Sequence, residues 1–384
     1  MTRGRGAGRT ARPAREAGDG TARATGTPSS SPVAGRWLFT GTDGRLTAYA
    51  CGRDGLLRWT EAQAPDSGWT GPEELEVPGW TGHAALAQSH EGYVHIVVAR
   101  TAPDTDGEGG PEIAVATQHQ SGRGLTWWTN LGTPGLPGGP QGDGLAVPPT
   151  LAVNQSDGSV HVIVSLRLGG ILRRSRSLQG VWGAWKEMTP DPYEGRVTAY
   201  MPTDGRLELI ALGPAGVDRW AGIAKGRFHL ADHVATPVVA GTPAVCETGP
   251  RRVTYFWRYP GDGSLVAWRT GNQQGQSGLM GLGGAGGRGA PGVCRALVGG
   301  YDCTVLVQVG AEDQIELTAY VTENESYGAW WTPLGAGGLR APQVAVDALG
   351  RIVVAGFDRD GALVLTRQDT TQQGLAFGPW HTAG

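Results

Sequence analysis

Thr42-Asp43-Gly44-Arg45, Leu46-Thr47-Ala48-Tyr49-Ala50, Asp54-Gly55 and Leu56-Leu57-Arg58-Trp59 follow one another within eighteen residues and contain the unit from which the rest of the chain is read. A Gly-centred turn leads into a strand whose apolar positions alternate with small or polar ones, the period-2 signature of a strand. A second turn and a third strand follow, and Gly68-Trp69 closes the unit. Asp-Gly supplies the positive φ that tight hairpins require. The turn returns at His90-Glu91-Gly92, Ser156-Asp157-Gly158-Ser159, Thr203-Asp204-Gly205-Arg206 and Leu349-Gly350-Arg351, with weaker equivalents near Pro250 and Tyr301. From Gly44 to Gly350 the six intervals average about 51 residues, the spacing of repeats that are each one blade of a β-propeller.

Seven such units predict an all-β fold, a seven-bladed β-propeller of four-stranded antiparallel blades over residues 35–384. An Arg/Gly-rich, disordered tail precedes it over residues 1–34, carrying Arg3, Arg5, Arg9, Arg12, Arg15 and Arg23. The tail reads as a solvated segment or, alternatively, as an arm that docks on an anionic partner. Fourth-strand anchors fall at Trp69, Trp128, Trp185, Phe228, Leu279, Trp331 and Trp380, roughly 43 to 59 residues apart. Blade 2 carries a polar insertion over Thr101 to Gly110, and a Gly/Pro-rich connection from Gly132 to Pro149 leads to blade 3. Gly281-Leu282-Gly283-Gly284-Ala285-Gly286-Gly287 reads as a flexible loop. Radial closure leaves only short, protected sheet edges, which an open sheet of this size would not.

Composition narrows the function classes. Gly 65 and Pro 25 punctuate turns, and 14 of the aromatic residues are Trp against 5 Phe, a bias that repeat anchoring explains. A formal net charge of -3 gives no electrostatic footprint for nucleic acid. No 18-residue apolar run suggests a membrane span. The N-terminus has no apolar h-region of a signal peptide, so a cytoplasmic location is the expectation. Reduced thiols suit that compartment: Cys51 and Cys246 lie on apolar strands, and Cys294 and Cys303 bracket the turn at Gly299-Gly300, either as buried thiols or as a pair facing across one hairpin. No C-x-x-C pair exists, so neither a structural zinc site nor any other metal or cofactor is expected.

Two constellations carry residues with chemistry. His95 and His161 stand three residues after the turn Gly of adjacent blades, and Glu208 takes that place in blade 4. Converging around an axis or a seam, they would serve as metal ligands or an acid/base pair; the alternative is polar residues on a wetter strand face. Tyr255, Trp257, Arg258 and Tyr259, beside Arg251 and Arg252, either floor a pocket for a planar or anionic ligand or form a blade edge with snorkelling arginines. No nucleophile elbow, P-loop or dinucleotide fingerprint is present.

Sialidase Asp-boxes, WD40 pairs and kelch doublets are absent. The repeat instead resembles that of PLL-like lectins and the related tectonin-like bacterial propellers. Trp128-Thr129-Asn130-Leu131-Gly132 and Trp331-Thr332-Pro333-Leu334-Gly335 match its Trp-x-x-Leu-Gly element; Trp185-Lys186-Glu187-Met188 is similar. Asp43-Gly44-Arg45-Leu46 and Asp204-Gly205-Arg206-Leu207 match its middle, and Arg53-Asp54-Gly55-Leu56 and Arg359-Asp360-Gly361-Ala362-Leu363 its last turn. The resemblance implies a non-catalytic, lectin-like protein whose ligand is a carbohydrate or small molecule held between blades. On that analogy the ligand-binding rings are Trp59, Trp69, Trp128, Trp185, Trp220, Trp257, Trp268, Trp331 and Trp380, with blade wedging as the alternative role. A second function class is an intracellular enzyme of secondary metabolism, a cyclase or lyase acting on an apolar substrate, for which His95, His161 and Glu208 are the catalytic candidates.

Overall fold

The recurring turn closes by the same chemistry in blades 1, 3 and 4. Asp43 Oδ1 accepts the Arg45 amide (3.2 Å), Asp157 Oδ1 the Ser159 amide (2.8 Å) and Asp204 Oδ1 the Arg206 amide (3.0 Å). Between each pair sits a glycine at φ 78, 71 and 75, where a side chain would be strained. The structure is a computed structural model and describes residues 30–384 apart from 65, 103–109, 136–144, 146–147, 168, 224–226 and 271–277. The arginines of the N-terminal segment and most of the Thr101–Gly110 insertion lie outside the described residues.

Each repeat folds into one antiparallel sheet of consecutive strands, seven sheets in all. The innermost strands are Leu38–Thr40, Trp80–Gln88, Thr150–Val153, Glu194–Tyr200, Ala244–Gly249, Arg288–Val298 and Arg340–Val346. They contact one another around a ring that closes where Leu38–Thr40 meets Arg340–Val346. Six sheets have four strands. The first has five, because Ser31–Pro32 and Leu38–Thr40 both pair with Leu46–Cys51. The propeller therefore starts ahead of the expected boundary at residue 35. Val33 joins the core, and Ser30 Oγ donates to Gly361 O of blade 7 (2.7 Å).

Second strands such as Leu46–Cys51 and Ile352–Phe357 are buried along their whole length, because each is covered on both faces by neighbouring blades. Apolar clusters straddle the seams: Val97, Ile113, Val160 and Val162 join blades 2 and 3, and Leu212, Val253, Trp257 and Trp268 join blades 4 and 5. At the closing seam Trp37 and Trp59 flank Phe357, with ring centroids 4.5 and 5.6 Å away. Trp37 Nε1 donates to Ala341 O (3.0 Å), and Arg351 pairs with Asp66 (2.9 Å). With every blade built from its own consecutive strands, closure of the ring rests on these side chains.

Two local expectations are corrected. Gly281 to Gly283 belong to the outermost strand of blade 5, Leu279–Gly283, so the glycine run is half strand and half tight turn. Cys294 lies opposite Val305 and Cys303 opposite Ala296, so the two thiols do not face each other, and all four cysteines are free. Among the described residues no helix is long and apolar enough to cross a membrane.

Candidate functional site

Only the innermost strands reach the hole of a closed ring, so their side chains decide what it holds. They enclose an axial chamber of about 550 Å3, to which all seven blades contribute. Its wall is stitched by side chains that bond across the seams. Thr40 Oγ1 donates to Val346 O (2.7 Å), Gln88 Nε2 to Thr40 O (2.8 Å), Gln155 Nε2 to Gln88 O (2.8 Å), and Thr150 Oγ1 to Val197 O (2.8 Å). Phe39, Leu151, Tyr200 and Val293 add apolar surface.

The innermost strand of blade 1 is interrupted between its two pieces, and the chain bulges there into the chamber, carrying Gly35 and Arg36. Arg36 is exposed; its Nε donates to Leu38 O (3.1 Å) and its guanidinium lies 5.1 Å from the centroid of Phe39. Arg196, from blade 4, donates through Nε to Thr150 Oγ1 (3.1 Å). A Cβ built on Gly35 would come within 3.2 Å of Arg196 Nη1, so that guanidinium spans the axis to the blade 1 bulge. Burial lowers Arg196 to about 10, which leaves it cationic at neutral pH. Arg295 of blade 6 also lines the chamber and is paired with Asp302. Among the described residues the wall contains these three arginines and no Asp or Glu.

Cys246 and Cys294 line the same wall on adjacent blades. Burial pushes them up to about 11 and about 12 respectively, and Arg36 pulls against burial at both. Cys246 thus faces the chamber, beyond the role of a small hydrophobe on an apolar strand.

The sequence-predicted polar triad is not brought together. His95, His161 and Glu208 occupy second strands, and none lines the axial chamber. Each is bonded to the third strand of its own blade: His95 Nδ1 lies 3.0 Å from Thr117 Oγ1, Arg173 Nη1 donates to His161 Nδ1 (3.3 Å), and Arg219 Nη1 pairs with Glu208 (3.1 Å). Burial, helped by Arg176, lowers His95 to about 3; burial and Arg173 lower His161 to about 4. Burial raises Glu208 against the pull of Arg219. Among the described residues no group of three His, Cys, Asp or Glu side chains could hold a metal ion. Tyr255, Trp257 and Arg258 are wholly buried and floor no open pocket, while Arg251 and Tyr259 stay exposed at the blade edge. Arg258 instead ties blade 5 to blade 6, donating to Gln308 Oε1 (2.9 Å) and Gly289 O (2.6 Å).

The tryptophans divide by depth. Trp59, Trp257 and Trp268 present no accessible ring face, because they fill the seams themselves. Trp128, Trp185, Trp331 and Trp380 each donate Nε1 to a carbonyl in the outer part of the preceding blade, at Glu76 (3.3 Å), Leu131 (3.2 Å), Leu282 (2.8 Å) and Leu334 (2.8 Å). Trp185 is buried, and the other three keep part of a ring at the surface. Trp69 packs on the blade 1 core, and Trp220 donates to Tyr193 Oη (2.9 Å). Trp127 and Trp330, each preceding an anchor, are 95% and 75% exposed.

Sequence reasoning missed Arg36, Arg196 and Arg295. Arg196 and Arg295 lie on innermost strands and Arg36 in the bulge of blade 1, and charged residues such as Glu247 and Arg340 on other innermost strands hid them as a signal. No family model matches the chain, and no curated protein matches it. Among solved structures it is similar to the BP39L lectin from Burkholderia pseudomallei, with TM-score 0.70 and 14% identity over 93% of this chain and 100% of that one. AofleA from Arthrobotrys oligospora gives TM-score 0.50 and 9% identity over 78% and 85%. A prolyl endopeptidase structure gives 0.52 and 11% over 93% of this chain and 50% of the other. At such identities the likeness is one of fold, and a fold shared by a lectin and a peptidase leaves function to the site.

Proposed function

We propose that this propeller is a lectin-like binding protein that holds a carbohydrate, or a small ligand of similar size and polarity, in the axial chamber without transforming it. One observation carries the reading: a cavity of about 550 Å3 whose wall is divided almost evenly between apolar surface and fixed polar groups. Small-ligand sites run from about 300 to 1,000 Å3, and a wall this polar suits a hydroxylated ligand better than an apolar one. A pyranose has apolar faces and a hydroxylated edge, which suit Tyr200 and Val293 beside Gln88, Gln155 and Thr198. The bonding of His95, His161 and Glu208 within their own blades supports binding over catalysis. The part-exposed rings of Trp128, Trp331 and Trp380 support a second place for a sugar, on the seams, because their backbone bonds hold each ring fixed.

Titration calorimetry against a glycan panel tests the reading. Ala244→Trp, which fills the chamber from the innermost strand of blade 5, is expected to abolish binding. Binding that survives Ala244→Trp and is lost in Trp331→Ala would move the site to the seams. A blank panel on folded protein would remove the proposal.

A further inference from the structure

We infer that the ligand of the axial chamber carries an oxyanion, a carboxylate or a phosphate, held between Arg36 and Arg196. This deepens the axial reading above and rests on it. The argument begins with a charge imbalance. Three guanidinium groups from blades 1, 4 and 6 line one chamber of about 550 Å3, and among the described residues no carboxylate stands in its wall. Arg295 is answered by Asp302, which accepts its Nε (3.1 Å). Glu247, on the innermost strand of blade 5, is turned to Thr203, accepting its amide (3.1 Å) and its hydroxyl (2.7 Å). Arg36 and Arg196 have no carboxylate within ion-pair distance among the described residues. Among the described residues their bonds run through Nε to Leu38 O and Thr150 Oγ1, which leaves the terminal nitrogens of both side chains to a ligand.

The geometry brings both cations to the blade 1 bulge. The blade 1 bulge brings Gly35 against the Arg196 guanidinium, and Arg36 is the next residue along the bulge. Gly35 has φ 88, and its missing side chain is what lets the guanidinium lie there. Cations that line a partly desolvated chamber with no carboxylate in its described wall draw an anion into it. Guanidinium donors also match the planar fork of a carboxylate or the tripod of a phosphate. Tyr200 and Val293, partly exposed on the same wall, leave the body of the ligand an apolar surface.

Titration calorimetry on the full chain in low salt separates this inference from the reading beneath it. The probes are D-glucuronate and glucose 6-phosphate, with D-glucose as the neutral control. At least one acidic probe is expected to bind about 10-fold or more tightly than glucose, with the advantage shrinking as sodium chloride is added. Arg36→Gln and Arg196→Gln each remove about 10- to 100-fold of affinity for that probe, and Arg295→Gln, already neutralised, leaves the preference in place. Arg36 is exposed, so Arg36→Gln carries the test even if Arg196→Gln fails to fold. Glucose binding as tightly as both acids, with Ala244→Trp still blocking it, would overturn the oxyanion and leave the axial site standing. An acid preference that survives Arg36→Gln would also overturn it. Acidic probes that bind regardless of both Ala244→Trp and Ala87→Trp would overturn the axial site together with this inference.

Discussion

The seams and the axis belong to the same seven sheets and have opposite chemistry. Along the seams, residues repeat and are already partnered: Trp128, Trp185, Trp331 and Trp380 each bond the preceding blade, and Trp59, Trp257 and Trp268 are sealed inside. At the axis only the stitching of the wall repeats, through pairs such as Gln88 and Gln155, and the charged groups do not. No tryptophan lines the chamber, and Arg36, Arg196 and Arg295 come from three blades at unrelated places in their repeats. The contrast separates residues that close the ring from residues still free to meet a ligand. A repeated side chain is repeated because every seam needs it, whereas a site needs one arrangement once.

The sharpest way to break that division is to truncate a seam. Trp268→Ala is expected to cost about 3–5 kcal/mol, the range for emptying an aromatic site in a packed core. Trp268 has ring centroids of Tyr255 at 5.9 Å and Trp257 at 6.1 Å, and all three are fully buried. Urea unfolding reads the loss as a lower midpoint. An unmoved midpoint would mean that the seam tryptophans do not hold the blades together, and ligand stacking would return as their role.

What was legible in the sequence follows the same line. Blade number, strand order and turn positions were read from Asp43-Gly44, Asp157-Gly158 and Asp204-Gly205, because the turn needs an acceptor and a left-handed residue wherever it occurs. The start of blade 1 was missed because Ser31–Pro32 is only two residues long and is separated from Leu38–Thr40 by the bulge. The chamber was illegible for a related reason. Arg36, Arg196 and Arg295 are far apart in sequence and meet only because the ring closes. His95 and His161 misled in the opposite way: equal places in adjacent repeats suggested convergence, but second strands lie one layer out from the axis, where each ring bonds within its own blade.

Those histidines make the sheets beside the seams sensitive to acid. Both are held neutral, His95 lowered to about 3 and His161 to about 4, chiefly by burial. Their unfolded pKa is about 6.5, so the unfolded chain takes up protons first as pH falls. The stability they contribute is complete above about pH 6.5 and is lost on the way down to the folded values. The loss is about 1.4 kcal/mol per pH unit for each histidine, or about 2 kcal/mol each by pH 5. Urea midpoints measured from pH 7 to pH 4.5 should fall along this slope, and His95→Gln should make it shallower by about half. An unchanged slope in His95→Gln would mean that its imidazole does not stay neutral in the folded ring.

The smallest effects sharpen the comparison most, because they weigh one side chain from each region under the same measurement. Trp331→Phe keeps an aromatic wedge but leaves Leu282 O without its indole donor, which is expected to cost about 1 kcal/mol, the net value of a neutral hydrogen bond. Arg36→Gln removes an exposed cation with no carboxylate partner among the described residues, and its effect on stability should stay within about 0.5 kcal/mol. Affinity for the axial ligand should rank the two the other way round, with Trp331→Phe silent and Arg36→Gln severe. Such a crossing separates the regions more firmly than either loss alone, since a general weakening of the ring would lower stability and affinity together. If both variants lower stability by the same amount and leave affinity alike, the axis is one more seam and the chamber is a by-product of closure.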